Sequence, residues 1–592
     1  MPGNRKRCGQ NRLTACSLAG NVPVIFGFLA TLILLLLPQN GAAQKLDIFP
    51  LSEVRAGQRG IGKTVFSGGR IEEFQVEILG ILRDSGPKQS IILARLSGGP
   101  LGETGVMQGM SGSPVYINGR LVGAVALAFP FSKEPIAGIR PIEEIFTAPL
   151  SARADARIFS AGSSRLVDIA TPVAFHGFST SALERFEPEL KKLGLDPRQG
   201  VSSGASLPPR MGDPSQLHPG DMISVQLLSG DLSAGADGTV TAIEGKRVYA
   251  FGHQFLDSGE TDLPFARAEV IALLPNLNTS FKISSPSEWM GAITQDRNTA
   301  IAGELGRRAA TIPLNIRMQT SAGRVSTYHM QMASSAVLTP LLLQMAIFST
   351  IDASERALGP ASYDLRGTAA FQRGLPLLRF DNSYAGDLGV PSLVSSAVAS
   401  SVGYALSLNL PALRLQEVNL DIRASEKRRL LTITRVTPSK REVLPGDSVE
   451  LYIVLSSTDG PEERKTVTYQ VPVGAPAGPL QFSVTDATSA NLAEYARFLG
   501  TPPRSPEQAI AFLNGLRDNG KAYMRILRAD PSFTVGGETL PDPPPSLGLI
   551  LARDPSSWNT MLGQGSKMEE IAIDLGDGVV SGSQSVQIQV KR

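Results

Sequence analysis

Between residues 44 and 150 the apolar positions fall in short β-rich runs broken by glycine. "KTVFSGGRIEEFQVEILGIL" holds two runs on either side of a glycine turn, and "SIILARLSG" is a third. "SPVYINGRLVGAVALAF" is two more, joined at Asn118-Gly119, the strongest short hairpin signal. The block reads as an all-β lobe. Residues 151–220 change character: "STSALERFEPELKKLG" has the spacing of an amphipathic helix and "LPPRMGDPSQLHPGD" that of a loop, so a helical bridge is expected. The β pattern returns over 221–345 in "MISVQLLSG", "GTVTAIEG", "KRVYAFGH", "AEVIALLP", "FKISS", "GAITQD" and "TIPLNIRMQ". Residues 346–425 are mixed α/β. Their apolar helices, "AVLTPLLLQMAIFSTID" (starting within the lobe) and "PSLVSSAVASSVGYALSL", flank a strand-like "YDLRGTAAFQ". From 426 to 592 the alternation and Pro-Gly-Asp turn of "LLTITRVTPSKREVLPGDSVELYIVLSS" predict a β-sandwich-like region. Two helices are expected inside it, "ANLAEYARFLG" and "SPEQAIAFLNGLRDNG", and "PDPPPS" reads as a loop. No internal repeat is legible.

Composition supports this reading. The chain of 592 residues is too long for one core. Its 59 glycines and 42 prolines with few aromatics favour a turn-rich β protein. A net charge of +2 gives no electrostatic reason to expect a nucleic-acid partner. Residues 1–43 read as a signal peptide. Arg5, Lys6, Arg7 and Arg12 are the basic start, "VPVIFGFLATLILLLLP" the apolar stretch, and Gly41 and Ala43 the small residues before a cut after Ala43. The alternative is an uncleaved signal anchor, the only membrane attachment foreseen. Both cysteines, Cys8 and Cys16, fall in this leader, which leaves the mature chain without thiol chemistry. Export to the periplasm, the cell envelope or the medium is expected. No metal-ligand cluster or phosphate-binding loop is legible, so no cofactor is expected.

Two motifs carry candidate chemistry. In "QGMSGSPVYINGRLVGAVA" Ser111 sits between glycines ahead of a hairpin. A serine nucleophile needs a sharp turn that exposes its oxygen and backbone N–H groups that hold the oxyanion. Flanking glycines serve both needs, and Gly109 and Ser111 are the natural donors. The bland reading, a Gly/Ser turn in a β protein, weighs equally on these residues alone. Of the four histidines, His253 in "VYAFGHQFLDSGETDLPFARAEV" follows an apolar strand and a glycine, where a general base would sit. A lone histidine is more often a packed or surface residue, and His176, His218 and His329 are read so.

Together, "GQRGIGKTVFSGGRIEEFQVEILGIL", "TGVMQGMSGSPVYINGRLVGAVA" and "DGTVTAIEGKRVYAFGHQF" resemble the SpoIVB-type serine peptidases, family S55, over roughly residues 45 to 345. The resemblance implies a mainly β protein with two chymotrypsin-like β-barrel lobes. It also implies a serine endopeptidase acting on protein substrates, with Ser111 as nucleophile and His253 as base. Two features depart from the family's prototype. Its histidine block precedes its serine block, so the lobes here are in permuted order. It also has an acid shortly before the serine, where this chain offers only Glu103. Asp231 is the first choice of orienting acid, with Asp257 and Asp262 as alternatives. The prototype's regulatory peptide-binding domain has no counterpart here. A catalytically inactive, protease-like binding protein of the cell envelope is the second reading.

Overall fold

The computed structural model describes residues 46–592 apart from 87–88, 148–158, 162–163, 170, 201–210, 356–357, 458–459, 501, 536–537, 542, 554–559 and 577. The expected leader, with Cys8 and Cys16, lies outside the described residues. The chain is mainly β.

Six strands make the first barrel: β1 (Arg59–Ser67), β2 (Arg70–Gly86), β3 (Gln89–Ser97), β4 (Pro114–Ile117), β5 (Arg120–Ala128) and β6 (Ile136–Pro141). They pair antiparallel in the order 1-2-3-6-5-4, and β4 pairs with β1 to close the ring. Closure leaves no open edge. Phe74, Val76, Ile78, Ile92, Leu96, Val115 and Val125 fill the interior, each contributing about 1.5–3 kcal/mol by leaving water. The expected hairpin is present: Asn118 and Gly119 both take positive φ, 52° and 78°, as a two-residue turn between twisted strands requires.

A second barrel repeats the first. Its strands are β7 (Met222–Gly230), β8 (Ser233–Glu244), β9 (Arg247–Ala250), β10 (Gly259–Leu274), β11 (Phe281–Arg297) and β12 (Ala300–Leu305). They close antiparallel in the order 7-8-9-12-11-10, the same connectivity shifted by six. The sequence shows no repeat; the topology does. Ser111 lies on the connection from β3 to β4, and His253 on the equivalent connection from β9 to β10. Two barrel lobes in permuted order are therefore present as expected.

Elsewhere the structure adds elements to those expected. The bridge holds its helix, α1 (Thr180–Lys192), whose N-cap Ser179 accepts the Ala182 N–H. It also holds strands: Thr171–His176 pairs with β8, and Leu195–Gln199 runs parallel to Thr171–His176. The strands of the mixed segment, Leu358–Ala370, Leu378–Leu388 and Glu417–Ser425, extend the second barrel's sheet. They share its core with α2 (Leu338–Ser354) and α3 (Val390–Ser407). Among the described residues α3 is the one helix long and apolar enough to cross a membrane, and half of it is buried against protein. In the C-terminal region two sheets enclose one core around Ile433, Leu451, Phe482, Met524 and Ile588. Among the described residues three helices accompany them, where two were expected, because Pro545–Arg553 begins inside the stretch read as a loop.

Candidate active site

The serine turn belongs to the first barrel but is held largely by the second. Along β8 side chains alternate: Ala236 and Val240 enter the barrel core, while Asp237, Thr239 and Thr241 lie on the other face. The Thr239 hydroxyl donates to the Gly109 carbonyl at 2.8 Å, and the Thr241 hydroxyl to the Gly112 carbonyl at 2.8 Å. Between them the Thr239 N–H donates to the Ser111 carbonyl at 2.8 Å. Three carbonyls of the turn are thus satisfied from one strand.

The histidine loop reaches the same place. The Phe251 N–H donates to the Thr239 carbonyl at 3.2 Å. Val125 of β5 is the shared neighbour: its carbonyl accepts the Gly112 N–H at 2.7 Å, and a methyl group on Gly252 would stand 3.1 Å from that same oxygen. Ala124 and Ala126 are small enough to admit the loop, with a Gly252 methyl 3.2 and 3.3 Å from their Cβ atoms. Gly112 is required for a harder reason. It adopts φ +92°, and a Cβ there would fall 2.0 Å from the Thr239 carbonyl and 2.5 Å from the Phe251 nitrogen.

Ser111 is 0% and His253 2% exposed. Ser111 Oγ and His253 Nε2 are both buried without a hydrogen-bond partner, so the two atoms are not bonded to each other. Among the described residues the Gly109 and Ser111 N–H groups donate no hydrogen bond. His253 Nδ1 lies 2.6 Å from the Gln254 carbonyl oxygen. That contact places the hydrogen on Nδ1 and leaves the lone pair on Nε2. Burial holds the ring below the ordinary histidine value. Asp168 and Asp296 pull it upward, and Arg140 opposes them.

Two of the acids foreseen from sequence, Asp231 and Asp262, are engaged elsewhere. Asp231 is exposed on the β7–β8 turn and accepts the His329 N–H at 2.6 Å, so it does not orient His253. Asp262 pairs with Arg307 at 3.2 Å and accepts the Ala310 N–H. Asp257 is exposed at φ 52°, and Glu103 is exposed on the short turn Leu101–Thr104. The carboxylate built into the histidine loop is Asp296, 1% exposed at the end of β11. It accepts the N–H groups of Phe255, Leu256 and Ser258 at 2.8, 2.6 and 3.2 Å. Asp296 was not singled out from sequence. Its only signal is a carboxylate at the end of the run "GAITQD". Asp168, 3.8 Å from Arg140, is the other nearby charge. Of the remaining histidines, His176 is buried, while His218 and His329 are exposed. No group of metal-ligating side chains occurs among the described residues.

A serine turn from one six-stranded barrel, meeting a histidine loop from the equivalent position of a second, is the layout of a chymotrypsin-like double barrel. Residues 20–139 match the SpoIVB peptidase S55 family. The matched segment includes Ser111 and ends before His253, and it supports a serine peptidase of that type. No curated protein and no solved structure matches the chain.

Proposed function

We propose that this chain is an exported serine endopeptidase that cleaves a protein substrate by Ser/His acyl transfer. One observation carries the reading. The serine turn and the histidine loop meet on Val125, with Ser111 Oγ, His253 Nε2 and the Gly109 and Ser111 N–H groups all uncommitted. In this mechanism His253 Nε2 takes the hydroxyl proton as Ser111 Oγ bonds to the substrate carbonyl carbon. The two N–H groups hold the resulting oxyanion, and His253 returns the proton to the leaving amine. Water then attacks the acyl group by the same route in reverse. The Gln254 carbonyl keeps the ring in the required tautomer, and Asp296 fixes the loop that carries it. Export rests on the leader at 1–43. A mature chain that begins at Gln44 is its expected product, read by N-terminal sequencing.

The competing reading, a protease-like binding protein without catalysis, is favoured by the sealing of Ser111 from solvent. In the peptidase reading that wall opens to admit the substrate. A fluorophosphonate probe separates the two. The peptidase is labelled, Ser111→Ala abolishes labelling without unfolding, and Ser113→Ala leaves it intact. A folded wild-type chain that resists the probe sinks the peptidase reading.

A further inference from the structure

Beneath the serine turn runs a lysine. Lys282 is the second residue of β11, and its alternation with Phe281 and Ile283 puts it on the face usually left to solvent. Here that face lies against the first barrel, and Lys282 is 2% exposed. Its backbone is paired with the turn: the Gln108 N–H donates to the Ser280 carbonyl at 2.8 Å, and the Lys282 N–H to the Gln108 carbonyl at 3.3 Å. Its aliphatic stem packs against the next residue. A methyl group on Gly109 would lie 3.1 Å from Lys282 Cδ and 3.3 Å from Cγ. Its Nζ then crosses to β1 of the first barrel and donates to Thr64 Oγ1 at 2.7 Å.

The countercharge is Asp237 on β8, fully buried, which accepts the Ser284 hydroxyl at 2.5 Å. Burial pushes Lys282 down to about 7 and Asp237 up to about 6, each toward its neutral form. Asp237 attracts the ammonium without bonding to it, and two buried charges of this kind are weak evidence for stability, because desolvation offsets their attraction. The lysine's position is the informative part. The Gly109 carbonyl is fixed by Thr239, its α-carbon rests on the Lys282 stem, and the residue before it is paired with β11. The group left over is the Gly109 N–H.

We propose that Lys282 is a positioning residue for the chemistry at Ser111: a strut, anchored on Thr64 of the first barrel, that fixes the Gly109 peptide so that its N–H is held ready for the oxyanion. The inference rests on the peptidase reading above. It adds a residue that touches neither substrate nor reacting atoms and acts only through Gly109.

Fluorophosphonate labelling tests it, because the phosphoryl oxygen occupies the oxyanion's place. The Ser111 Oγ–P bond forms, the P–F bond breaks, fluoride leaves, and the hydroxyl proton passes to His253. The maximal rate kinact and the half-saturating concentration KI are measured on full-length chains. Asp237→Asn accompanies each lysine change, so that no buried charge is left alone. Lys282→Ala/Asp237→Asn removes the stem. It should lower kinact by at least about tenfold with KI unchanged, short of the loss expected when an oxyanion donor is deleted. Lys282→Met/Asp237→Asn keeps the stem and should recover most of that rate. Thr64→Val only unhooks Nζ and should lower kinact by about threefold, which decides the matter if the alanine variant does not fold. A folded alanine variant with wild-type kinact, or a Thr64→Val chain that is only less stable, overturns the proposal. A wild-type chain unlabelled at Ser111 overturns the peptidase reading, and this proposal with it.

Discussion

The Nδ1 atom of His253 lies 2.6 Å from the carbonyl oxygen of Gln254, its own chain neighbour, and no carboxylate bonds to the ring among the described contacts. Orientation by a backbone carbonyl is enough to set the tautomer. Of the carboxylates foreseen for that task, Asp231 accepts the His329 N–H and Asp262 pairs with Arg307. Asp231→Asn and Asp262→Asn should therefore label at Ser111 within about threefold of wild type, as surface changes do. His253→Ala should fall nearly as far as Ser111→Ala, because groups that act as a unit lose activity together. Labelling kinetics on the four variants check this. Near-normal labelling of the histidine variant would remove it from the mechanism.

Asp296 supports the histidine by holding its loop. Asp296→Asn turns one oxygen that accepts backbone N–H groups into a donor facing donors. The variant should lose about 1–3 kcal/mol of stability and label more slowly than the Asp231 variant. Denaturant unfolding and labelling, run on the same samples, give both quantities.

The pH dependence follows from the depressed His253 value. The base works when neutral, so labelling should persist to lower pH than an ordinary histidine near 6.5 allows. The pH–rate profile should inflect below that value. For stability, the unfolded chain binds a proton on this ring near pH 6.5 while the folded chain does not. The contribution is present above about 6.5 and is lost as pH falls from there through the folded value. His176 is depressed by burial in the same sense. Unfolding midpoints at pH 8 and pH 5 should fall with acid, and less steeply in a His253→Gln chain. An inflection above 6.5 would contradict the assignment.

Two glycines of similar φ separate close approach from backbone freedom. Gly112 at +92° has the Thr239 carbonyl where a Cβ would go, whereas Gly119 at +78° faces open space. Gly119→Ala should cost about 1 kcal/mol, the ordinary penalty for that backbone region. Gly112→Ala should cost about 3 kcal/mol or more and abolish labelling, because the turn must leave β8. Thr241→Val, which strands the Gly112 carbonyl, should fall between them at about 1–3 kcal/mol. Equal stability of the two alanine variants would show that the turn is not wedged against the second barrel.

Local patterns carried much of this to the sequence. The β runs, the Asn118-Gly119 turn, α1, the two apolar helices and the two candidate motifs were legible, because each is written in neighbouring residues. Two barrel lobes were expected from the resemblance, but the strand order they share was not legible. That order depends on β3 pairing with β6 and β9 with β12, contacts set by packing rather than by shared residues. Asp231 was put first as an acid that could pair across a barrel, yet it accepts the His329 N–H, while Asp296 reaches back 41 residues to Phe255. Lys282 was not singled out, because alternation along a strand cannot tell a free face from one covered by another barrel. The strands at Thr171–His176 and Leu195–Gln199 were missed for a related reason. Thr171–His176 finds its partner in the second lobe, Leu195–Gln199 pairs with Thr171–His176 in turn, and the helix between them dominated the local pattern.

The bonds that shape the serine turn span 130 and 129 residues, from Thr239 to Gly109 and from Thr241 to Gly112. Loops of that length close late in folding, after local hairpins have formed. During synthesis, from the N-terminus onward, the first barrel emerges with its serine while the strand that sets the turn is still unmade. A fragment ending before β8 has Ser111 but lacks the threonines that hold its turn and the histidine proposed to activate it. In the peptidase reading, competence at Ser111 is thus a property of the docked pair of barrels, and chain growth itself delays it until both exist.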